Sequence, residues 1–206
     1  MPPKKEGVPR FLAVNGDESE PGTIKDRRLF EYNPHTIIEG AIIACYAMEM
    51  DAAYIYIRGE YADWIDMVQK AIDEAYTKGY AGKNIMGSGH DIDVFLHKGA
   101  GAYICGEETS LMESLEGKRA YPRSKPPFPA QKGLWGYPTT INNVETVGQV
   151  PYVIRNGADW YLGIGAEGHP GPCLYGISGH VNRPGVYEYP TGMLISLAQW
   201  VITCNN

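Results

Sequence analysis

Three carboxylates and an amide crowd into Asn15-Gly16-Asp17-Glu18-Ser19-Glu20-Pro21-Gly22-Thr23, directly after the apolar run Phe11–Val14. In open α/β sheets the carboxyl end of a strand is where ligands bind. A second chemical stretch, Gly99-Ala100-Gly101-Ala102-Tyr103-Ile104-Cys105-Gly106-Glu107-Glu108-Thr109, joins a strand-like run to a helix-like one. Free backbone N–H groups in such a turn face anions or oxygen-rich groups. Two standard phosphate loops fail there. A dinucleotide fingerprint from Gly99 meets Ile104 where a small residue belongs, and a phosphate loop from Gly101 has Glu107 and Glu108 in place of Lys and Ser/Thr. Two carboxylates repel a triphosphate. They accept hydrogen bonds from ribose or isoalloxazine N–H and O–H groups instead, or simply occupy a helix's first turn, where the dipole favours them.

A third stretch, Lys118–Thr140, carries Pro122, Pro126, Pro127, Pro129 and Pro138 among Lys118, Arg119, Arg123 and Lys125. The prolines exclude a helix. With Phe128, Trp135 and Tyr137 the segment reads either as an ordered loop that holds phosphates and stacks a base or as a solvated linker. Asn142-Asn143-Val144-Glu145 has the pattern of a helix cap with a carboxylate behind it.

The elements that position these stretches follow from periodicity. Strands are expected at Phe11–Val14, Tyr54–Arg58 and Ile92–Leu96. One helix starts with Asn33 as cap and Pro34 in its first turn, and continues through Ile38, Ala41, Ile42, Cys45 and Met48. Another carries Trp64, Val68, Ala71, Ile72 and Ala75 and stops by Gly79; a third carries Leu111, Met112 and Leu115 before Gly117. Alternation of strand and helix predicts a parallel α/β sheet. Pro151 is expected to break or restart the helix after Asn143. Cys173–Val181 and Val186–Tyr189 flank Asn182-Arg183-Pro184-Gly185 as a hairpin, and Leu194–Ile202 reads as a helix start. The boundary near Gly165–Gly171 gives expected domains 1–165 and 166–206.

The 206 residues, 44% hydrophobic with 25 Gly and 15 Pro, describe a folded, loop-rich chain. A net charge of −6 argues against nucleic acid as the main partner. No apolar run is long enough to span a bilayer, and no signal peptide is visible. Cys45, Cys105, Cys173 and Cys204 form no Cys-x-x-Cys pair, so neither a metal site nor a disulfide framework is expected. Cys105 reads as a packing residue.

Asn15–Arg27, Gly99–Thr109, Ser114–Ala130 and Asn142–Thr146, in this order, resemble the flavoprotein subunit of NADH-quinone oxidoreductase, respiratory complex I. The match runs from about Gly7 to about Met193, with Gly16 where the family usually has Ala. The resemblance implies a Rossmann-like α/β FMN-binding domain, incomplete at its N-terminus, and then the start of a ubiquitin-like β-grasp domain. It places FMN against Asn15, Asp17, Glu18, Ser19, Tyr103, Gly106, Glu107, Glu108, Asn142, Asn143 and Thr146. It places NADH near Glu20, Glu108, Lys125 and Phe128, with Phe128 on adenine and Lys125 facing ribose or phosphate. Hydride would pass from NADH to FMN and electrons onward through iron–sulfur clusters toward quinone, and no side chain here need act as acid or base. The family's glycine-rich phosphate loop has no counterpart in Met1–Arg10, and Cys204 lacks the companions a [4Fe–4S] ligand needs. The chain therefore reads as a central fragment, inactive alone. Its implied partners are the other peripheral-arm subunits, especially the small [2Fe–2S] subunit. The implied location is the cytoplasmic or matrix-side arm of a membrane-bound complex. NAD-linked hydrogenases and formate dehydrogenases share the module, and a non-catalytic remnant is the alternative from another class.

Overall fold

The computed structural model describes residues 1–194, in two units. The first comprises Met1–Glu20 and Asp26–Pro151. Its strands β1 (Phe11–Gly16), β2 (Ala52–Ile57), β3 (Asp93–Lys98) and β4 (Thr139–Asn143) form one parallel sheet in the order β3-β2-β1-β4. Side chains alternate between its faces. Leu12, Val14, Ala53, Ile55, Ile57 and Val94 belong to one core, and Ala13 and Tyr56 to the other.

The first core is closed by helices α1 (Lys25–Tyr32), α2 (Pro34–Ala47) and α3 (Ala62–Thr77) through Phe30, Ile37, Ile38, Ala41, Val68, Ala71 and Ile72. Helix α2 begins as expected: the Asn33 side chain accepts from the Thr36 N–H, and Pro34 occupies the first turn. Helix α4 (Glu108–Leu115) closes the other face with Leu111, Met112 and Leu115, and Cys105 is buried beside them. The chain steps outward from β1 to β2 to β3, then crosses back to place β4 on the far side of β1. Right-handed crossovers in opposite directions put α2 and α3 on one face and α4 on the other. The order therefore reverses between β1 and β4, which is where a doubly wound sheet opens a crevice.

Two elements depart from the sequence expectation. Helix α1 forms where the periodicity announces no helix, and β4 takes in the end of the proline stretch and the asparagines expected to cap a helix. The helix after Asn143, α5 (Val144–Asn156), also runs through Pro151 without breaking. A proline forfeits the hydrogen bond to the carbonyl four residues earlier, here that of Val147. A Cβ on Gly40 would lie 2.1 Å from this same carbonyl oxygen. The bare Cα of Gly40 in α2 is thus pressed against the oxygen that Pro151 leaves over, in a weak C–H···O contact.

In the second unit, which takes in Pro21–Lys25 and the described residues from Tyr152 on, α6 (Ala158–Leu162) precedes the small pair β5 (Gly165–Ala166) and β6 (His169–Pro170). Strands β7 (Pro172–Ile177) and β8 (Gly185–Pro190) make the expected antiparallel hairpin. The expected helix at Leu194–Ile202 falls, beyond Leu194, outside the described residues. Among the described residues no helix is long and apolar enough to cross a membrane.

Candidate functional site

All four strands point their carboxyl ends at one edge, and the polar stretches gather there. Asn15, next to last in β1, and Asn143, which ends β4, are register partners across the switch point. The Asn143 amide donates to the Asn15 carbonyl at 3.2 Å and to Asp26 Oδ2 at 3.0 Å, while its Oδ1 accepts from the Glu145 N–H and starts α5. The Asn15 amide donates to the Gly106 carbonyl at 2.9 Å, tying the β1 loop to the turn before α4.

A cleft of about 360 Å³ opens on this edge, lined by Asp17, Ser19, Glu20, Tyr103, Ile104, Gly106 and Glu107. Six of these are sequence-predicted site residues; Ile104 is the addition. Within the loop, Asn15 Oδ1 accepts from the Asp17 N–H, and the Ser19 hydroxyl donates to Asp17 Oδ2 at 3.0 Å. The Tyr103 hydroxyl donates to Glu20 across 83 residues of chain, and that bond raises the phenol's pKa. Burial raises the Asp17 carboxyl to about 6, against the pull of Ser19 and Arg58.

Glu107 caps α4. One carboxylate oxygen accepts from the Thr109 and Ser110 N–H groups and the Thr109 hydroxyl. Burial opposes its charge, but these bonds prevail and hold its carboxyl below the usual range. Glu108, in the first turn, is ion-paired with Lys125, whose pKa the bond raises. Of the two sequence readings of this acidic pair, the structure shows the helix-terminal one: Glu107 caps α4, Glu108 stands in its first turn, and the second oxygen of Glu107 lies 3.9 Å from Lys125.

Glu18 sits differently from its neighbours. Its carboxylate, almost fully buried, accepts from the Tyr61 hydroxyl at 2.9 Å, the Asp26 N–H at 2.9 Å and the Arg27 N–H at 3.3 Å. It is directed into the protein, while Asp17, Ser19 and Glu20 line the cleft. Asn142 and Thr146 lie at the end of β4 and the start of α5, beside Asn143. Phe128 is exposed in the proline loop and does not line the cleft. Three of that loop's cations are also engaged. Arg123 bonds Glu113, Glu116 and the Gly133 carbonyl, and Lys118 bonds Glu116. Arg119 lies over the Tyr121 ring. The loop is thus tied to α4 and its C-terminal cap through Glu113 and Glu116, and these cations do not stand as a row of free charges.

Sequence reasoning missed Arg58 and Tyr61, which back the Asp17–Glu20 loop. The available signal was the charged turn Arg58-Gly59-Glu60-Tyr61 at a predicted strand's carboxyl end.

The Asp17 shift has a testable consequence. In the unfolded chain an aspartate titrates near 4, so between pH 4 and 6 the folded protein binds more protons and stability falls as pH rises. The contribution is intact below about pH 4 and lost above about pH 6; two units correspond to about 2–3 kcal/mol. Asp17→Asn is expected to exceed wild-type stability by about 2 kcal/mol at pH 8 and to match it below pH 4. Urea denaturation of the chain at both pH values checks this.

A doubly wound sheet with a polar cleft beside its switch point is the architecture of a nucleotide-binding α/β protein. The chain belongs to the Nuo51 FMN-binding domain family, whose model matches residues 1–152. It is 55% identical to an NADH-quinone oxidoreductase subunit of Rhodobacter capsulatus over 201 residues, covering 98% of this chain and 46% of that protein. Identity to the corresponding NADH-quinone oxidoreductase subunit of Aquifex aeolicus is 57% over 182 residues, 88% of this chain and 43% of that one. The chain thus spans about half the length of the curated relatives it matches. In structure it is similar to the NAD+-reducing [NiFe]-hydrogenase in the air-oxidized state, with a TM-score of 0.84 and 38% identity over 95% of this chain and 32% of that one.

Proposed function

We propose that this chain is the FMN- and NADH-binding part of an NADH dehydrogenase flavoprotein of the respiratory complex I type. The observation that carries the reading is the convergence of Asp17, Ser19, Glu20, Tyr103, Gly106 and Glu107 on one cleft at the carboxyl edge of the sheet. The donor set suits FMN. Carboxylate oxygens of Asp17 and Glu107 accept from ring N–H and ribityl hydroxyl groups, and the Asn142 amide and Thr146 hydroxyl add donors at the β4 end. Bound FMN supplies the redox chemistry, accepting hydride from NADH. The protein's part is to bind and orient: the Asn15–Gly106 and Asn143–Asn15 bonds hold the two halves of the site together. Lys125, Glu108 and Phe128 form the nucleotide side in this reading. Residues from 166 onward, with the β7–β8 hairpin, are read as the start of a β-grasp domain. Electron transfer toward quinone through iron–sulfur clusters, a [2Fe–2S] partner and a place in a peripheral arm belong to the same proposal.

Reconstitution with FMN tests it. In the flavin-loaded enzyme, Lys125→Ala and Phe128→Ala are expected to raise the KM for NADH severalfold to tenfold with FMN content unchanged. Loss of FMN in either variant, with folding intact, would remove the proline loop from the nucleotide side. The hydrogenase likeness favours one second reading, the same module in an NAD-linked hydrogenase. Hydrogen-dependent reduction of NAD+ by the assembled enzyme would select it.

A further inference from the structure

We propose that Arg58 is a positioning residue: through the main chain of Glu18 it sets the orientation of the Asp17–Glu20 loop on which the substrate and flavin side chains stand. The inference rests on the functional reading above for its kinetic consequence, but not for the clamp itself. Arg58 Nη1 donates to the Glu18 carbonyl at 2.8 Å. The N–H of that same peptide unit, on Ser19, donates to the Asp17 carbonyl at 3.0 Å. Both polar ends of the Glu18–Ser19 peptide are therefore held, and Arg58 is the strong partner on the carbonyl side; the Tyr61 hydroxyl stands 3.4 Å away.

The guanidinium is itself fixed. Its Nε and Nη2 donate to the two oxygens of Glu60 at 3.1 and 2.9 Å, a bidentate fork that sets its plane. Below it lies the buried Tyr61 ring, with the Arg58 and Arg27 carbons 5.6 and 5.1 Å from the centroid. The turn that carries Arg58 is seated on the glycine stretch. A Cβ on Gly59 would fall 2.2 Å from the Gly99 carbonyl oxygen, so the two backbones touch there. One guanidinium thus links the Asp17–Glu20 loop to the turn between β2 and α3, which rests on the turn after β3. Ser19 and Glu20 follow directly from the peptide it orients. A small misplacement of positioning groups costs up to about 100-fold in rate.

Two measurements on Arg58→Met, Arg58→Lys and Glu60→Gln decide the matter. Amide hydrogen exchange on the chain reads the clamp: in Arg58→Met the Ser19 and Glu20 amides are expected to exchange at least about tenfold faster, with Ile55 and Leu111 unchanged. Unchanged exchange at Ser19 would overturn the clamp. In the flavin-loaded enzyme, Arg58→Met is expected to lose about tenfold in kcat/KM for NADH at constant FMN content. Arg58→Lys should recover most of that loss, because an ammonium still donates to the Glu18 carbonyl, and Glu60→Gln should lose about threefold. Wild-type kcat/KM in Arg58→Met, or no recovery in Arg58→Lys, overturns the positioning role. If Arg58→Met fails to fold, the exchange and kinetics of Glu60→Gln decide the same question, a wild-type result overturning the role. A wild-type enzyme that holds no FMN refutes the functional reading instead, and the exchange data still decide the clamp.

Discussion

Glu108→Gln is expected to raise kcat/KM for NADPH relative to NADH by tenfold or more in the flavin-loaded enzyme. Two effects act in the same direction. On the proposed nucleotide side, the Glu108 carboxylate that would accept from the ribose 2′-hydroxyl of NADH would meet a phosphate when the substrate is NADPH. Like charges about 4 Å apart repel by roughly 1 kcal/mol in water and about 4 kcal/mol at an effective dielectric of 20. The structure adds the second effect. Lys125 is ion-paired with Glu108, and Glu107 lies 3.9 Å from the same ammonium. Neutralising Glu108 removes the repulsion and also releases Lys125 to meet the extra phosphate. High salt should blunt the wild-type discrimination, because the pair is partly exposed. Steady-state kinetics with both nucleotides at two ionic strengths measure this. An unchanged ratio with FMN still bound would leave Glu108 as a helix residue only.

The second large effect is on stability. Glu18→Ala is expected to destabilise the chain by about 3–5 kcal/mol, the range for removing one partner of a buried charged network. The cost comes from the groups left behind: the Tyr61 hydroxyl, the Asp26 and Arg27 N–H groups and the Arg27 guanidinium all lose this acceptor. Glu18→Gln keeps one carbonyl acceptor and should cost less, about 1–2 kcal/mol. Urea denaturation measures both. A Glu18→Ala chain within about 1 kcal/mol of wild type would show that the network closes without it. Flavin loss in a Glu18 variant then reports a collapsed loop and is no proof of a lost contact.

The sheet's first three strands and their helices were legible because Leu12, Val14, Ile55, Ile57 and Val94 alternate at period two and Val68, Ala71, Ile72 and Ala75 recur at helical spacing. Strand β4, Thr-Thr-Ile-Asn-Asn, was not: its side chains are mostly polar, and its place in the sheet comes from pairing with β1, which no local pattern announces. Helix α1 was hidden by its charges, since only Asp26 and Phe30 are buried. At the site, the residue types at the strand ends were readable, and the cleft gathers six of them. Their division of labour was not. Glu18 looks like its acidic neighbours in sequence, and its inward turn depends on Tyr61, 43 residues away. The pairing of Arg123 with Glu113 and Glu116 was equally invisible to composition.

The position of β4 also governs when the site comes into being. The Asn143–Asn15 bond closes a loop of 128 residues, far longer than any β–α–β step on the other side of β1. Contacts of such sequence separation form slowly, because the entropy of closing the loop is lost before the contact returns anything. On a growing chain β1, β2 and β3 can pair while one wall of the crevice is still unsynthesised. If Asn142, Asn143 and Thr146 hold FMN as proposed, flavin capture is a late event in biogenesis that waits for Thr139–Asn143 to leave the ribosome and dock, and a nascent chain arrested before Thr139 should pull down no FMN.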